Sequence, residues 1–357
     1  MPAQIEQTNR NGGLTLVAMP GFESLAVEVK NRLEIMGAKP GRDPTLVDVV
    51  YPTFGTRASG EPFLKLGKDH IGGHDCVVLT SGPGTHEMLC QLFLVLRYLA
   101  GRRAQRIALL TGYFPLARSD KDEGALEFAL VPLIIDLMMA ASYNRLDRII
   151  TADLHAPQAV MAGRTGLITE VSLVRRILQR VLEDAKTLGL PLCLALPDDG
   201  AAKRIESAYT EVEKSLGVHL PIVFGAKRRA TSRQSEIKEL FGELEALQGA
   251  LAIMLDDELA TGGTNDHTAA ALKEKHSAAQ VWAAVTHGVF CPGAETRFTD
   301  PACAVDRVYS TDTIPFTFRP HLTPLIQSGR LRVISWLEDL IKLIYFHHWD
   351  LSIREMR

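Results

Sequence analysis

From Leu14 onward the chain alternates short apolar runs with longer stretches of helical period. Short runs rich in β-branched residues, bounded by Gly, Pro or polar clusters, predict strands buried on both faces. They fall at Thr15–Met19, Val47–Tyr51, Cys76–Thr80, Ile107–Thr111, Arg148–Ala152, Leu192–Leu196, Pro221–Phe224, Leu251–Leu255, Val281–Val285 and Arg307–Ser310. Between them the pattern predicts helices at Phe22–Met36, Thr85–Gly101, Ala125–Asn144, Val171–Leu188, Ala201–Leu216, Thr264–His276 and Trp336–His348. Strands separated by helices imply an α/β chain with mostly parallel sheets and crossover connections. Two sheets suit these strands better than one, with a boundary near Ala156 to Gly166. The expected division is a domain over 14–160, a second over 161–335, and a trailing helix over 336–348.

One stretch organises the rest. Ala250 to Leu255 is an unbroken apolar run, closed by Asp256 and Asp257 and followed by Ala260-Thr261-Gly262-Gly263-Thr264. Open α/β sheets place ligands at the carboxyl ends of their strands. A Gly/Thr loop leading into a helix presents free backbone N–H groups to an anion. Adjacent carboxylates beside such a cradle can accept hydrogen bonds from vicinal hydroxyls, so the combination suits a sugar phosphate. Taken singly, Asp-Asp is a strand end and Gly-Gly a turn; a generic turn has no need of the whole set.

Composition adds exclusions. The 357 residues suffice for two domains, and 46% hydrophobic with 23% charged residues is ordinary for a globular protein. A net charge of −3 provides no basic field for nucleic acid. The five cysteines are scattered without a Cys-x-x-Cys pair, which indicates neither a zinc site nor a disulfide framework. Residues 1–13 are polar without a signal-peptide core, and no run reaches the length of a membrane span. The expected setting is cytoplasmic.

Four further strand ends carry polar residues. Arg118-Ser119-Asp120 follows the Ile107–Thr111 strand, where an arginine can stack on a base or clamp a phosphate, or simply be a solvated loop residue. Asp153-Leu154-His155 follows Arg148–Ala152; in extended chain the two polar side chains fall on one side, giving a metal-phosphate site or a structural histidine. Pro197-Asp198-Asp199-Gly200 follows Leu192–Leu196, and its hard oxygen donors suit Mg²⁺ or a helix cap. Lys227-Arg228-Arg229 leads into a polar segment and reads either as a lid over polyphosphate or as a solvated face.

In this order, Asp-Leu-His at 153–155, Pro-Asp-x-Gly-x-x-Lys-Arg at 197–204 and Asp-Asp-x-x-x-Thr-x-Gly-Thr at 256–264 resemble the ribose-phosphate diphosphokinases, or phosphoribosyl pyrophosphate synthetases. Ser59-Gly60-Glu61, Thr286-His287-Gly288-Val289-Phe290 and Thr311-Asp312-Thr313-Ile314-Pro315 extend the resemblance over nearly the whole chain. It implies two type I phosphoribosyltransferase-like domains, the first on the nucleotide side and the second on the ribose 5-phosphate side. The implied reaction moves the β,γ-diphosphoryl group of ATP to the 1-hydroxyl of ribose 5-phosphate. By position Lys227 and Arg229 match the family's catalytic mobile-loop cations, while His155 and Asp198 match its Mg²⁺ residues. Arg57, Ser59, Glu61, Arg118, Ser119 and Asp120 match the ATP site, with Glu61 coming from a neighbouring subunit of a homo-oligomer. Asp256 and Asp257 match the ribose-hydroxyl residues, and Thr261, Gly262, Gly263 and Thr264 the 5-phosphate loop.

Three positions depart from the family pattern. Ala260 stands where the family has Asp, Arg57 where it has an adenine-packing aromatic, and Ser119 where it has Gln. These departures leave open a non-catalytic regulatory paralogue of such a synthetase, and the Asp256–Thr264 loop taken alone leaves open a phosphoribosyltransferase that consumes the diphosphate. The Trp336–His348 helix, with Leu337, Leu340, Ile341, Ile344 and Tyr345 on one face, reads as packing, and His347-His348 as no metal pair.

Overall fold

Every strand expected from an apolar run is present, since such runs satisfy a sheet covered by helices on both faces. The computed structural model describes residues 10–37, 45–68, 70–122, 128–217, 219–231 and 234–353. The chain forms two compact units, Met1–Val171 with Trp336–Arg357, and Ser172–Ser335.

The first unit contains β1 (Leu14–Ala18), β2 (Val47–Val50), β3 (Pro52–Thr56), β4 (Pro62–Leu66), β5 (Asp75–Thr80), β6 (Arg106–Thr111), β7 (Leu146–Ala152) and β8 (Ile168–Val171). Its helices are α1 (Glu23–Gly37), α2 (His86–Gly101) and α3 (Val131–Ala141). Six strands form a parallel sheet in the order β2-β1-β5-β6-β7-β8, while β3 and β4 form a separate antiparallel hairpin. All five residues of β1 are buried. Helix α2 lays Leu92, Val95, Leu96 and Leu99 into the core at three- and four-residue spacing. Its start is capped by Thr85, whose hydroxyl accepts the Met88 N–H at 3.3 Å.

The second unit contains α4 (Val174–Ala185), β9 (Leu192–Leu196), α5 (Asp199–Leu216), β10 (Ile222–Thr231), β11 (Gln234–Gly242), β12 (Leu251–Leu259), α6 (Gly263–His276), β13 (Gln280–Gly288), α7 (Ala294–Thr299), β14 (Arg307–Thr311), α8 (Thr323–Gln327) and β15 (Leu331–Ile334). The sheet order is β11-β10-β9-β12-β13-β14-β15, parallel except for the β10–β11 edge hairpin. Ala250, Ala252, Met254, Val281, Ala283 and Val285 pack into one apolar cluster with Phe290 and Phe298.

Two expectations shift. The division falls between Val171 and Ser172 rather than at 160, because β8 pairs with β7 from Ile149–Ile168 to Ala152–Val171. Helix α9 (Leu337–His348), expected to trail the second domain, belongs to the first unit. It is tied there by Trp349 donating to Thr45 at 3.1 Å and by His348 Nδ1 lying 2.9 Å from the buried Asp75 carboxylate. Asp75 also receives the Arg106 guanidinium, Nε at 3.1 Å and Nη2 at 2.6 Å. Both histidines of the pair turn to this carboxylate, with His347 Nε2 at 3.7 Å, which is an ion-pair separation too long for a hydrogen bond. Burial alone would raise the Asp75 carboxyl; His347, His348 and Arg106 reverse that and hold it well below the usual carboxylate range.

Candidate active site

The Asp256-Asp257 stretch lies inside a longer strand than the apolar run suggests. Pairing of β12 with β13 continues past Leu255, through Asp256–Val285 to Leu259–Gly288, so both acids and Glu258 are strand residues. All three are half-buried, and the Asp257 N–H donates to Asp256 Oδ1 at 2.9 Å. After Ala260 the chain turns at Gly262, whose φ of 75° is left-handed, and α6 begins at Gly263 with no side-chain cap. A side chain at Gly262 would meet the Phe298 ring at 2.4 Å in a left-handed backbone, so any residue but glycine is strained here. Uncapped N–H groups at a helix start, carrying the positive end of its dipole, form an anion cradle. Thr261 and Thr264 are exposed on its rim.

A second loop supports the first. The N–H groups of Val289 and Phe290 donate to Leu259 O at 2.9 and 3.1 Å, and that of Cys291 donates to Ala260 O at 3.0 Å. The two Thr-rich segments of the sequence bind each other here: Thr311 Oγ1 donates to Thr286 O at 2.6 Å, and His287 Nδ1 lies 2.9 Å from Thr313 Oγ1.

Two arginines at this edge carry no sequence motif. Arg297 Nε donates to Thr261 O at 3.3 Å, and its Nη1 lies 3.4 Å from Asp266 in the first turn of α6. A cation beside a helix N-terminus is electrostatically unfavourable unless an anion balances it, and Asp266 supplies part of that balance. Arg319, 8% exposed, donates to the Gly288, Val289 and Ile314 carbonyls. Burial pulls its guanidinium down to about 10, so it stays protonated at neutral pH. A lone arginine is usually a surface residue, which is why neither stood out. The flanking aromatics of Phe316-Thr317-Phe318-Arg319 were the one available signal, since guanidinium and ring faces attract.

Asp198 stands after β9, next to β12 in the sheet, and is the N-cap of α5: its Oδ1 accepts the Ala201 N–H at 2.8 Å. The sequence pattern predicts Lys227 and Arg229 in a polar segment beyond a short strand, as a lid or a solvated face. Instead their backbones belong to β10, opposite Ile237 and Ser235 of β11, because the antiparallel edge hairpin continues beyond the apolar residues. Their side chains lie outside the described residues.

In the first unit Arg118 is exposed beyond β6, while Ser119 and Asp120 are half-buried. Ser119 lies against the start of α3, its carbonyl accepting the Leu130 N–H at 2.8 Å and the Val131 N–H at 3.1 Å. Asp120 accepts from Gln158 at 2.7 Å, tying this loop to the segment after His155. His155 is half-buried beyond β7, the strand beside β6, and Asp153 is held at a φ of 27°. Arg57, Ser59 and Glu61 lie together on the β3–β4 hairpin. There the Arg57 N–H donates to Glu61 O at 2.8 Å, Ser59 donates to Glu61 Oε2 at 2.9 Å, and the Arg57 guanidinium stands 5.6 Å from the Phe63 ring centre.

For a divalent cation, half-buried carboxylates at 198, 256 and 257 offer the hard oxygen donors that Mg²⁺ prefers, with part of its shell left to water and phosphate. The donor set fits that ion.

No family model matches the chain. It is 30% identical over 305 residues to a ribose-phosphate pyrophosphokinase of Rhodopirellula baltica, covering 85% of this chain and 89% of the relative. A ribose-phosphate pyrophosphokinase of Bradyrhizobium diazoefficiens is 27% identical over 334 residues, covering 93% and 95%. The crystal structure of phosphoribosylpyrophosphate synthetase from Mycobacterium smegmatis superimposes with a TM-score of 0.73 at 25% identity, covering 95% of this chain and 99% of that one. The fold is accordingly a pair of type I phosphoribosyltransferase-like α/β domains.

Proposed function

The chain belongs to the ribose-phosphate pyrophosphokinase family, and on that premise we propose how its residues divide the work of the reaction. The enzyme transfers the β,γ-diphosphoryl group of ATP to the 1-hydroxyl of ribose 5-phosphate and releases AMP. The observation that carries the assignment is the cradle itself: acids Asp256 and Asp257 leading through a glycine turn into the uncapped start of α6.

In this reading Thr261, Gly262, Gly263 and Thr264 hold the 5-phosphate, with Arg297 adding a cation at the rim. Asp256 and Asp257 accept from the ribose hydroxyls. Arg118, Ser119 and Asp120 bind ATP together with Arg57, Ser59 and Glu61 of a neighbouring copy, so the working form is a homo-oligomer. Mg²⁺, served by Asp198 and by His155, would offset charge on the triphosphate. Lys227 and Arg229 stabilise charge as it develops on the transferring group, where orientation and electrostatics dominate over acid–base chemistry. Among the described residues no helix is long and apolar enough to cross a membrane; a cytoplasmic setting is part of the proposal.

The test is AMP formation from ATP, Mg²⁺ and ribose 5-phosphate. Lys227→Ala is expected to lower kcat about 10²-fold or more, the scale of losing one transition-state charge donor. Ala260, where a carboxylate is missing, favours a second reading as a regulatory subunit. AMP formation no faster in the wild type than in Lys227→Ala would transfer the assignment to that reading.

A further inference from the structure

Arg319 is a buried cation without a carboxylate among the described residues. Its Nη1 donates to the carbonyls of Gly288 and Val289, the latter at 3.3 Å, and its Nη2 to Ile314 O at 2.5 Å. The guanidinium lies 4.5 Å from the Phe316 ring centre and 5.7 Å from that of Phe290, while Nε is buried with no hydrogen-bond partner among the described residues. Desolvating a cation is unfavourable, and such a group persists where its bonds are needed.

What those bonds orient is specific. The peptide units 288–289 and 289–290 each point their carbonyl at Arg319, and each points its N–H at Leu259 O, at 2.9 and 3.1 Å. The next N–H, of Cys291, meets Ala260 O at 3.0 Å. Arg319 is thereby linked through two successive peptides to Leu259, the last residue of β12, and the peptide that follows them reaches Ala260 at the head of the sugar-phosphate loop. The conformation being held is an unfavourable one: Phe290 sits at a φ of 47°. A side chain at Gly288 would meet the Phe290 ring at 2.3 Å and Ser310 Oγ at 2.4 Å, so the loop has no slack.

A second route runs through rings. Arg319 stacks on Phe290, Phe290 meets Phe298 edge to face at 6.5 Å, and Phe298 fills the space beside Gly262. Hydrogen bonds reach the loop at Leu259 and Ala260, and aromatic packing reaches it at Gly262. Both begin at one guanidinium.

We propose that Arg319 is a positioning residue for the sugar-phosphate loop, acting through residues 288–291 to set the geometry in which Thr261–Thr264 receive a phosphomonoester. This rests on reading that loop as the ribose 5-phosphate site. Lysine cannot replace the planar fork, because a single ammonium does not reach three carbonyls and stack on two rings at once.

The test is steady-state kinetics on the full chain, with thermal unfolding as a check of folding. In Arg319→Met the KM for ribose 5-phosphate is expected to rise about tenfold or more, and that for ATP to stay within about twofold. Arg319→Lys should fall between. Methylguanidinium should restore a low ribose 5-phosphate KM to Arg319→Ala, whereas ammonium should not. An Arg319→Met enzyme that is folded with an unchanged ribose 5-phosphate KM, or with both KM values raised together, overturns the proposal. Should Arg319→Met not fold, Phe316→Leu removes one stacking face and leaves the carbonyl bonds; a ribose 5-phosphate KM unmoved there also overturns it. Wild-type protein that makes no AMP defeats the catalytic reading and this inference with it, a result distinct from an active enzyme indifferent to Arg319.

Discussion

Arg106 and Arg319 are both withdrawn from water, in opposite ways. Arg106, at the start of β6, is paired with buried Asp75, reaches Asp350 at 2.6 Å, and donates to the His347 carbonyl at 2.7 Å. Among the described residues Arg319 binds only carbonyls and aromatic faces. Burial lowers both guanidinium groups, but Asp75 and Asp350 more than reverse this for Arg106, and no group among the described residues does so for Arg319. The first arginine stands at the amino end of its strand and fastens α9 to the first unit. The second stands beyond the carboxyl ends of β13 and β14, where open α/β sheets keep their chemistry. A paired ion is found where the fold must be joined, and an unpaired one where loops must be oriented.

The comparison breaks most visibly at Asp75. Asp75→Asn leaves Arg106 without its buried counter-charge and is expected to destabilise the protein by about 3–5 kcal/mol, read from denaturant or thermal unfolding. Ribose 5-phosphate KM in whatever protein remains folded should be unchanged. A parallel rise in that KM would show that the two ends are not independent.

Acid sharpens the same contrast. Because the Asp75 carboxyl is held below its ordinary value in the fold, the folded protein binds fewer protons there than the unfolded chain does as pH falls through the ordinary carboxylate range. The stability it contributes is complete above about pH 4 and declines below, toward the depressed folded value. The difference in unfolding free energy between wild type and Asp75→Asn should therefore be constant from pH 7 to about 5 and shrink below about 4. A difference growing toward low pH would reverse the assignment.

The smallest expected effect lies at the other end, on the loop rim. Arg297→Gln keeps a donor near Thr261 O but removes the charge beside Gly263, so ribose 5-phosphate KM should rise about tenfold, or ~1.4 kcal/mol, with ATP KM unchanged. Equal ribose 5-phosphate KM values in Arg297→Gln and wild type would reduce Arg297 to a carbonyl contact.

How much of this was legible depends on the length scale of the signal. Fully apolar strands such as Leu251–Leu255 announce themselves, because burial on both faces leaves no polar alternation. Mixed strands do not. Pro52–Thr56 is half polar, Ile168–Val171 and Leu331–Ile334 have only four residues each, and all three pass for loop. Lys227 and Arg229 were misplaced for the same reason, since charge at a sheet edge looks like charge in a loop. Of the two meanings that sequence offers for Asp198, a Mg²⁺ ligand and a helix cap, the hydrogen bond to the Ala201 N–H shows the cap of α5.

By itself the sequence determined which fully apolar segments become strands, where the long helices between them lie, and the Asp256–Thr264 succession of acid pair, glycine turn and helix start. These follow from period, propensity and backbone sterics, which act over a few residues. Tertiary structure alone decided that α9 returns to the first unit, and that Arg319 meets Gly288 across 31 positions of chain. A cation pairing with distant carbonyls leaves no periodic trace, because its partners are backbone atoms that every residue shares.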